Sequence, residues 1–197
     1  GLLLAGSAAA PAAAQDYGGF APRGAPGDFD FYVLALSWSP TYCAGPGAPR
    51  DDVQCAPGRG LGFVVHGLWP QYASGYPQNC AAVNRAPTRQ AMEVAGQVYP
   101  SESLARYEWR KHGTCSGSSP SDYFADIRRA RDKVVIPPSL AKADSDQSWT
   151  ALDIERAFVA VNPGLRTDMM SVGCKRGVLQ EVRICFSKDL RNFQTCQ

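Results

Sequence analysis

Apolar and polar positions along this chain divide into strand-like runs at both ends and helix-like segments between them. Residues 28–38 (DFDFYVLALSW) alternate at first and then turn almost continuously apolar and aromatic, which predicts a strand. Residues 61–68 (LGFVVHGL) predict a second strand, apolar enough to be central. The stretch between them, 39–60, contains four prolines and reads as a long loop, as does 69–87. Thr88 is placed to cap a helix running to about Tyr99, and a helix is expected over 103–115. Ser121 caps another through about Lys133, with Arg128, Arg129 and Arg131 on a solvated face. After an irregular connector over 134–147, Thr150-x-x-Asp153 opens a further helix that Asn162-Pro163-Gly164 stops. Residues 177–186 (GVLQEVRICF) alternate like a strand. Helices and strands mix without βαβ regularity, so the fold class is α+β, with no internal repeat and no domain linker.

Composition narrows the picture. The chain has 197 residues, 45% of them hydrophobic, which fits one domain with a real core. A formal net charge of +2 excludes binding by blanket neutralisation of a polyanion and leaves room for a local phosphate site. Residues 1–14 pair an apolar run, Leu2-Leu3-Leu4-Ala5, with small residues up to Ala14. They read as a signal-peptide remnant, with the folded domain over 15–197 and a secreted or periplasmic location. No later segment resembles a membrane span. Seven cysteines suit an oxidising compartment, and an odd count leaves at least one without a partner inside the chain. No C-x-x-C pair is present and only two histidines are, so no metal site is expected. Proximity suggests that Cys43 and Cys55 staple the 39–60 loop.

The two histidines, His66 and His112, each stand in a segment with further chemistry. His66 ends an apolar strand, where a histidine on its own is more often a packed core residue. Here it is followed by Gly67, which permits close backbone approach, and by Trp69, Tyr72 and Tyr76, rings suited to stacking on a base. In Tyr107–Cys115 a helix would put Glu108, Lys111 and His112 on one face, with Trp109 in the core. A phosphodiester cleaved through its own 2′-hydroxyl needs a base for that hydroxyl, an acid for the 5′-oxygen and positive charge for the phosphorane between them. Two imidazoles and a lysine supply all three without a metal. The requirement is that His66 and His112 meet across one phosphate. A Cys80–Cys115 bridge would bring their segments together, since a disulfide holds its Cα atoms roughly 4.4–6.8 Å apart.

In these two segments, FVVHGLWP (Phe63–Pro70) and YEWRKHGTC (Tyr107–Cys115), the chain resembles the ribonuclease T2 family. The resemblance extends to Trp38–Cys43 and to Leu179–Cys185 and so covers almost the whole of 15–197. It implies a central antiparallel sheet with flanking helices, and a cofactor-free endoribonuclease acting on single-stranded RNA as a monomer. It implies that His66 is the general acid, His112 the general base, and Glu108 and Lys111 the pair assisting the transition state. It implies that Trp69 stacks on a base, together with Tyr76, and that Cys80 pairs with Cys115 and Cys174 with Cys185. Products would be 2′,3′-cyclic phosphates, then 3′-phosphates. Two departures stand out. Tyr107 occupies a position where many members have a third histidine, so weaker phosphate binding or slower cyclic-phosphate hydrolysis is expected. Gln71 stands where some fungal members have a base-reading Asp, so an adenine preference is not implied, and the activity is expected to be of low base specificity. Cys196 lacks the usual upstream partner and is expected to be the odd thiol. The alternative is a non-catalytic RNA- or protein-binding member of the same fold, but pure binding would not need His66, Glu108, Lys111 and His112 together.

Overall fold

Strand β1 (Phe31–Trp38) is the centre of the sheet, and its first six residues are all buried. It pairs antiparallel with β2 (Phe63–Gln71) on one side and with β4 (Val178–Ser187) on the other. A further strand, β3 (Met170–Lys175), pairs antiparallel with β4, so the order is β2-β1-β4-β3. The computed structural model describes residues 24–46, 48, 53–80, 86–141 and 147–196; the expected leader over 1–14 and most of the arm after it lie outside them.

Burial on both faces explains why β1 is apolar nearly without interruption. On one face Tyr32, Leu34 and Leu36 join Leu68, Val182, Ile184 and the helices in the main core. On the other, Phe31, Val33 and Cys185 form a smaller layer with Trp69 and Cys196. The helices covering the first face are α2 (Arg89–Ala95), α3 (Glu102–Lys111), α4 (Pro120–Asp132) and α5 (Ala151–Val161), and a short α1 (Ser39–Ala44) follows β1. In α4 the buried positions Tyr123, Phe124, Ile127 and Ala130 recur at helical spacing. Burying a side chain such as Phe124 or Ile127 contributes roughly 1.5–3 kcal/mol. The Tyr123 hydroxyl donates to the Leu68 carbonyl at 2.8 Å and so ties α4 to β2.

The α+β expectation with a central antiparallel sheet holds, and so do the predicted caps at Thr88 and Thr150, which accept from the Ala91 and Asp153 amides. Several local readings shift. Ser119, not Ser121, caps α4, because Pro120 occupies the first helical turn, where its missing N–H leaves nothing unsatisfied. The loop after β1 opens with α1 rather than irregular chain. Helix α3 stops at Lys111, and a 3-10 turn over Gly113–Cys115 carries the chain to the Cys80 disulfide. Strand β3 gives little pattern because only Met170 of its six residues is buried.

The disulfides correct two linked expectations, the Cys174–Cys185 pair and Cys196 as the odd thiol. Cys43–Cys55 and Cys80–Cys115 form as expected, but Cys185 pairs with Cys196, and Cys174 is free and exposed. The register accounts for this. Cys174 lies opposite Leu179, whereas Cys185 lies six residues further along β4, roughly 20 Å away at about 3.3 Å per residue. That is far beyond the reach of a disulfide. Meanwhile the C-terminal segment folds back along β4, with the Gln194 amide on the Cys185 carbonyl at 3.0 Å and Phe193 against Phe186 at 5.0 Å, and delivers Cys196.

Peptide mapping without reduction should therefore recover a Cys185–Cys196 linked pair and alkylation at Cys174. A Cys174–Cys185 peptide would contradict this register.

Candidate active site

The sheet is interrupted where the chemistry collects. Ala35 faces Gly67 and Leu36 faces Val65, so His66 is the extra residue of a β-bulge. The bulge lets Val65 and Leu68, three apart, both reach the main core, which regular alternation forbids. It leaves His66 and Trp69 together on the opposite face, with ring centroids 5.1 Å apart and perpendicular. A second bulge lies in β4: Gly173 faces Glu181 and Cys174 faces Leu179, so Gln180 is the extra residue. Across β1, where the intervening side chains are the small Ala35 and Ser37, His66 Nδ1 meets Glu181 Oε2 at 3.1 Å.

Helix α3 delivers the other half. Ser101 caps it by accepting from the Leu104 amide, and Arg106 binds Glu102 one turn on at 2.6 Å. Glu108 and Trp109 are buried on its inner side; Trp109 packs edge-on against Tyr123 at 5.7 Å, as core. The Glu108 carboxylate accepts a hydrogen bond from Trp69 Nε1 at 2.7 Å, and its other oxygen lies 3.7 Å from His66 Nε2. Gly67 makes this meeting possible, since a Cβ there would overlap both Glu108 Oε2 and Trp69 Nε1. His112 leaves the helix at its C-terminus, and its ring lies 5.3 Å from Trp69 and 6.1 Å from Tyr76. Both imidazoles thus contact one indole.

Electrostatics differ sharply between these groups. Burial, followed by the positive charges of Lys111 and His66, lowers the His112 pKa from 6.5 to about 3, so the ring is neutral and able to accept a proton over the ordinary pH range. Its Nδ1 is buried with no hydrogen-bond partner among the described residues. Burial also pushes the Glu108 carboxyl above its ordinary value, despite the pull of His66, Trp69 and Lys111. For Glu181 burial acts in the same direction, but the bond to His66 and the charge of Arg183 outweigh it and hold the carboxyl below its ordinary value.

Of the eight predicted site residues, His66, Trp69, Glu108 and His112 converge, with Tyr76 on the outer side of the His112 ring and 46% exposed. Lys111 makes no ion pair among the described residues, and its Nζ lies 5.5 Å from the centre of the half-exposed Tyr107 ring. Tyr72 is not brought to the imidazoles. It packs against the main core, and burial together with Asp28 and Asp30 raises its hydroxyl above the usual value. The sequence reading missed Glu181 and Arg183. Arg183 donates from Nε to Glu181 Oε1 at 2.6 Å, and its guanidinium lies 5.4 Å from the Trp69 ring centre. Their signal was two charges at alternating positions of a largely apolar strand.

A cavity of about 1110 Å³ opens at the end of the sheet, between Trp38, Trp149 and the β3–β4 turn, but its described lining holds no histidine or carboxylate. The chemistry lies on the other face. Among the described residues no group of three potential metal ligands occurs, and no helix is long and apolar enough to cross a membrane.

Comparison with known proteins identifies the family and the fold. The family model described as the ribonuclease T2 family matches residues 29–196. A ribonuclease of Aeromonas hydrophila is 50% identical over 113 residues, covering 56% of this chain and 50% of that protein. A probable ribonuclease of Haemophilus influenzae is 31% identical over 171 residues, covering 81% of this chain and 58% of its own. The matches thus span about half the length of these two relatives. Among solved structures, a single-residue mutant of RNase MC1 in complex with 5′-UMP superposes with a TM-score of 0.62 at 25% identity, covering 84% of this chain and 91% of that one.

His112 and Glu108 have opposite linkage signs. His112 binds its proton less readily folded than unfolded, so its contribution destabilises the protein as pH falls from about 6.5 toward 3. Glu108, held above its ordinary value, destabilises as pH rises past the carboxylate range. In thermal melts His112→Asn should lose less stability than the parent between pH 7 and pH 4. Glu108→Gln should melt higher than the parent at pH 7, with the gain shrinking toward pH 4. Parallel pH curves for parent and variants would contradict the burial of these two groups.

Proposed function

The chain belongs to the ribonuclease T2 family, and on that footing we propose that it is an exported, metal-independent endoribonuclease that cleaves single-stranded RNA by transesterification. The observation that carries this reading is the convergence of His66 and His112 on Trp69, at 5.1 and 5.3 Å, with Glu108 bonded to the Trp69 indole and 3.7 Å from His66.

In the first step His112 takes the 2′-hydroxyl proton, O2′ bonds to phosphorus, and the P–O5′ bond breaks as O5′ receives the proton of His66 Nε2. The product is a 2′,3′-cyclic phosphate. In the second step the roles reverse. His66 Nε2 takes a proton from water, the water oxygen bonds to phosphorus, and O2′ leaves with the proton held by His112, giving a 3′-phosphate. The depressed pKa of His112 suits a base that stays neutral in acid. The Lys111 ammonium, without an ion pair among the described residues, is available to the charge that grows on the phosphorane oxygens. Glu108 is proposed to assist at the same phosphate. Trp69, bonded to Glu108 and flanked by both imidazoles, spaces the two proton carriers, while the exposed ring of Tyr76 is offered to a base and Tyr107 donates to phosphate. The Gln71 amide is engaged by the Pro70 carbonyl at 3.0 Å rather than held out toward a base, which supports low base specificity. Three disulfides support a secreted or periplasmic location, and the protein is proposed to act as a monomer.

Purified protein should cleave single-stranded RNA in EDTA, leave DNA intact for want of a 2′-hydroxyl, and give cyclic phosphate ends detectable by mass spectrometry. Loss of activity in EDTA, or equal cleavage of DNA, would sink the proposal. His112→Ala should lower kcat by roughly 10²–10⁴-fold or more, and a fully active variant would remove His112 from the reaction. In the parent, the acid limb of kcat/KM should lie well below pH 6.5, the ordinary histidine value.

A further inference from the structure

We infer that Glu181 is a positioning residue for His66, holding the imidazole proton on Nδ1 so that Nε2 alone exchanges protons with the nucleic acid. This rests on the reading of His66 as the proton donor to O5′.

The geometry is specific. Glu181 is 9% exposed, and its two oxygens have separate partners: Oε2 faces His66 Nδ1 at 3.1 Å and Oε1 accepts from Arg183 Nε at 2.6 Å. The carboxylate therefore cannot swing away without breaking the Arg183 bond. Both residues sit at bulges, His66 as the extra residue of β2 and Glu181 beside the extra residue Gln180 of β4. Without the β4 bulge, Leu179 and Glu181 would share a face; with it, Leu179 packs into the main core while Glu181 faces the imidazole. The other ring nitrogen, Nε2, is 3.7 Å from Glu108 on the side where His112 stands.

The chemistry needs this choice of nitrogen. When the imidazolium gives its Nε2 proton to O5′, the N–H electron pair stays on Nε2 and the neutral ring keeps its remaining proton on Nδ1, bonded to Glu181. The same Nε2 lone pair is then ready to take the proton of the water that opens the cyclic phosphate. A neutral ring protonated on Nε2 instead has no lone pair there and cannot serve that step. A carboxylate behind the ring thus matters most when His66 acts as a base.

The chain has two histidines, so nitrogen-15 spectra of imidazole-labelled protein resolve His66 with one further residue to assign. The parent should show neutral His66 protonated on Nδ1. Glu181→Ala should move that proton to Nε2 and lower kcat for cyclic-phosphate hydrolysis roughly 10- to 100-fold, with KM within about twofold, a part of the factor a positioned proton carrier contributes. Glu181→Gln keeps an acceptor oxygen and should restore both the tautomer and most of kcat. Should Glu181→Ala fail to fold, Glu181→Leu fills similar space without an acceptor and takes the same readings. An unchanged tautomer, or a loss confined to KM, overturns the role. Absence of RNA cleavage by the parent would sink the ribonuclease reading instead, while the tautomer measurement still decides whether Glu181 orients the ring.

Discussion

The hydrogen bond from the Trp69 indole to the buried Glu108 carboxylate, made across a residue with no side chain at Gly67, joins the two halves of the molecule that carry chemistry. One half is a sheet strand and the other is the end of a helix. Everything the site does depends on their approach, because His66 is on the strand and His112 follows the helix. Three further contacts hold that approach in place. Tyr123 bonds the Leu68 carbonyl, the Cys80–Cys115 disulfide ties the loop after β2 to the turn after α3, and the Asn79 amide reaches the Lys111 carbonyl at 2.8 Å.

This arrangement is not optimised for stability. Glu108 is almost wholly buried and raised in pKa, and His112 is buried with one ring nitrogen unpartnered among the described residues. Each would be easier to bury as an apolar residue. The surrounding structure offsets them with a continuous core under the sheet and three disulfides. The irregularity is local: two bulges concentrate it, in an otherwise regular antiparallel sheet, on the strands that present His66 and Glu181.

Much of the fold was legible because the signals were local. Apolar runs marked β1, β2 and β4, capping residues marked α2 and α5, and the helical reading of 103–115 put Trp109 in the core, where α3 buries it. Where partners are distant in sequence, the reading failed or was silent. Strand β3 exposes most of its side chains, so nothing in its pattern distinguishes it from loop. The Cys185 pairing depends on the register of β3 against β4 and on where the C-terminal segment turns back, and the spacing of cysteines along the chain gives neither. Tyr72, one residue beyond the end of β2, faces the core and two aspartates rather than the imidazoles.

The amino-acid sequence by itself determined the fold class, the family and which side chains are chemically competent, since strand periodicity, helix caps and motif residues are properties of neighbours along the chain. Tertiary structure decided which atoms meet. A bulge at His66 and another beside Glu181 change which way the following side chains point, and bulges arise from pairing between strands, so no single segment reveals them. For the same reason the carboxylate behind His66, 115 residues away along the chain, became visible only once the sheet was assembled.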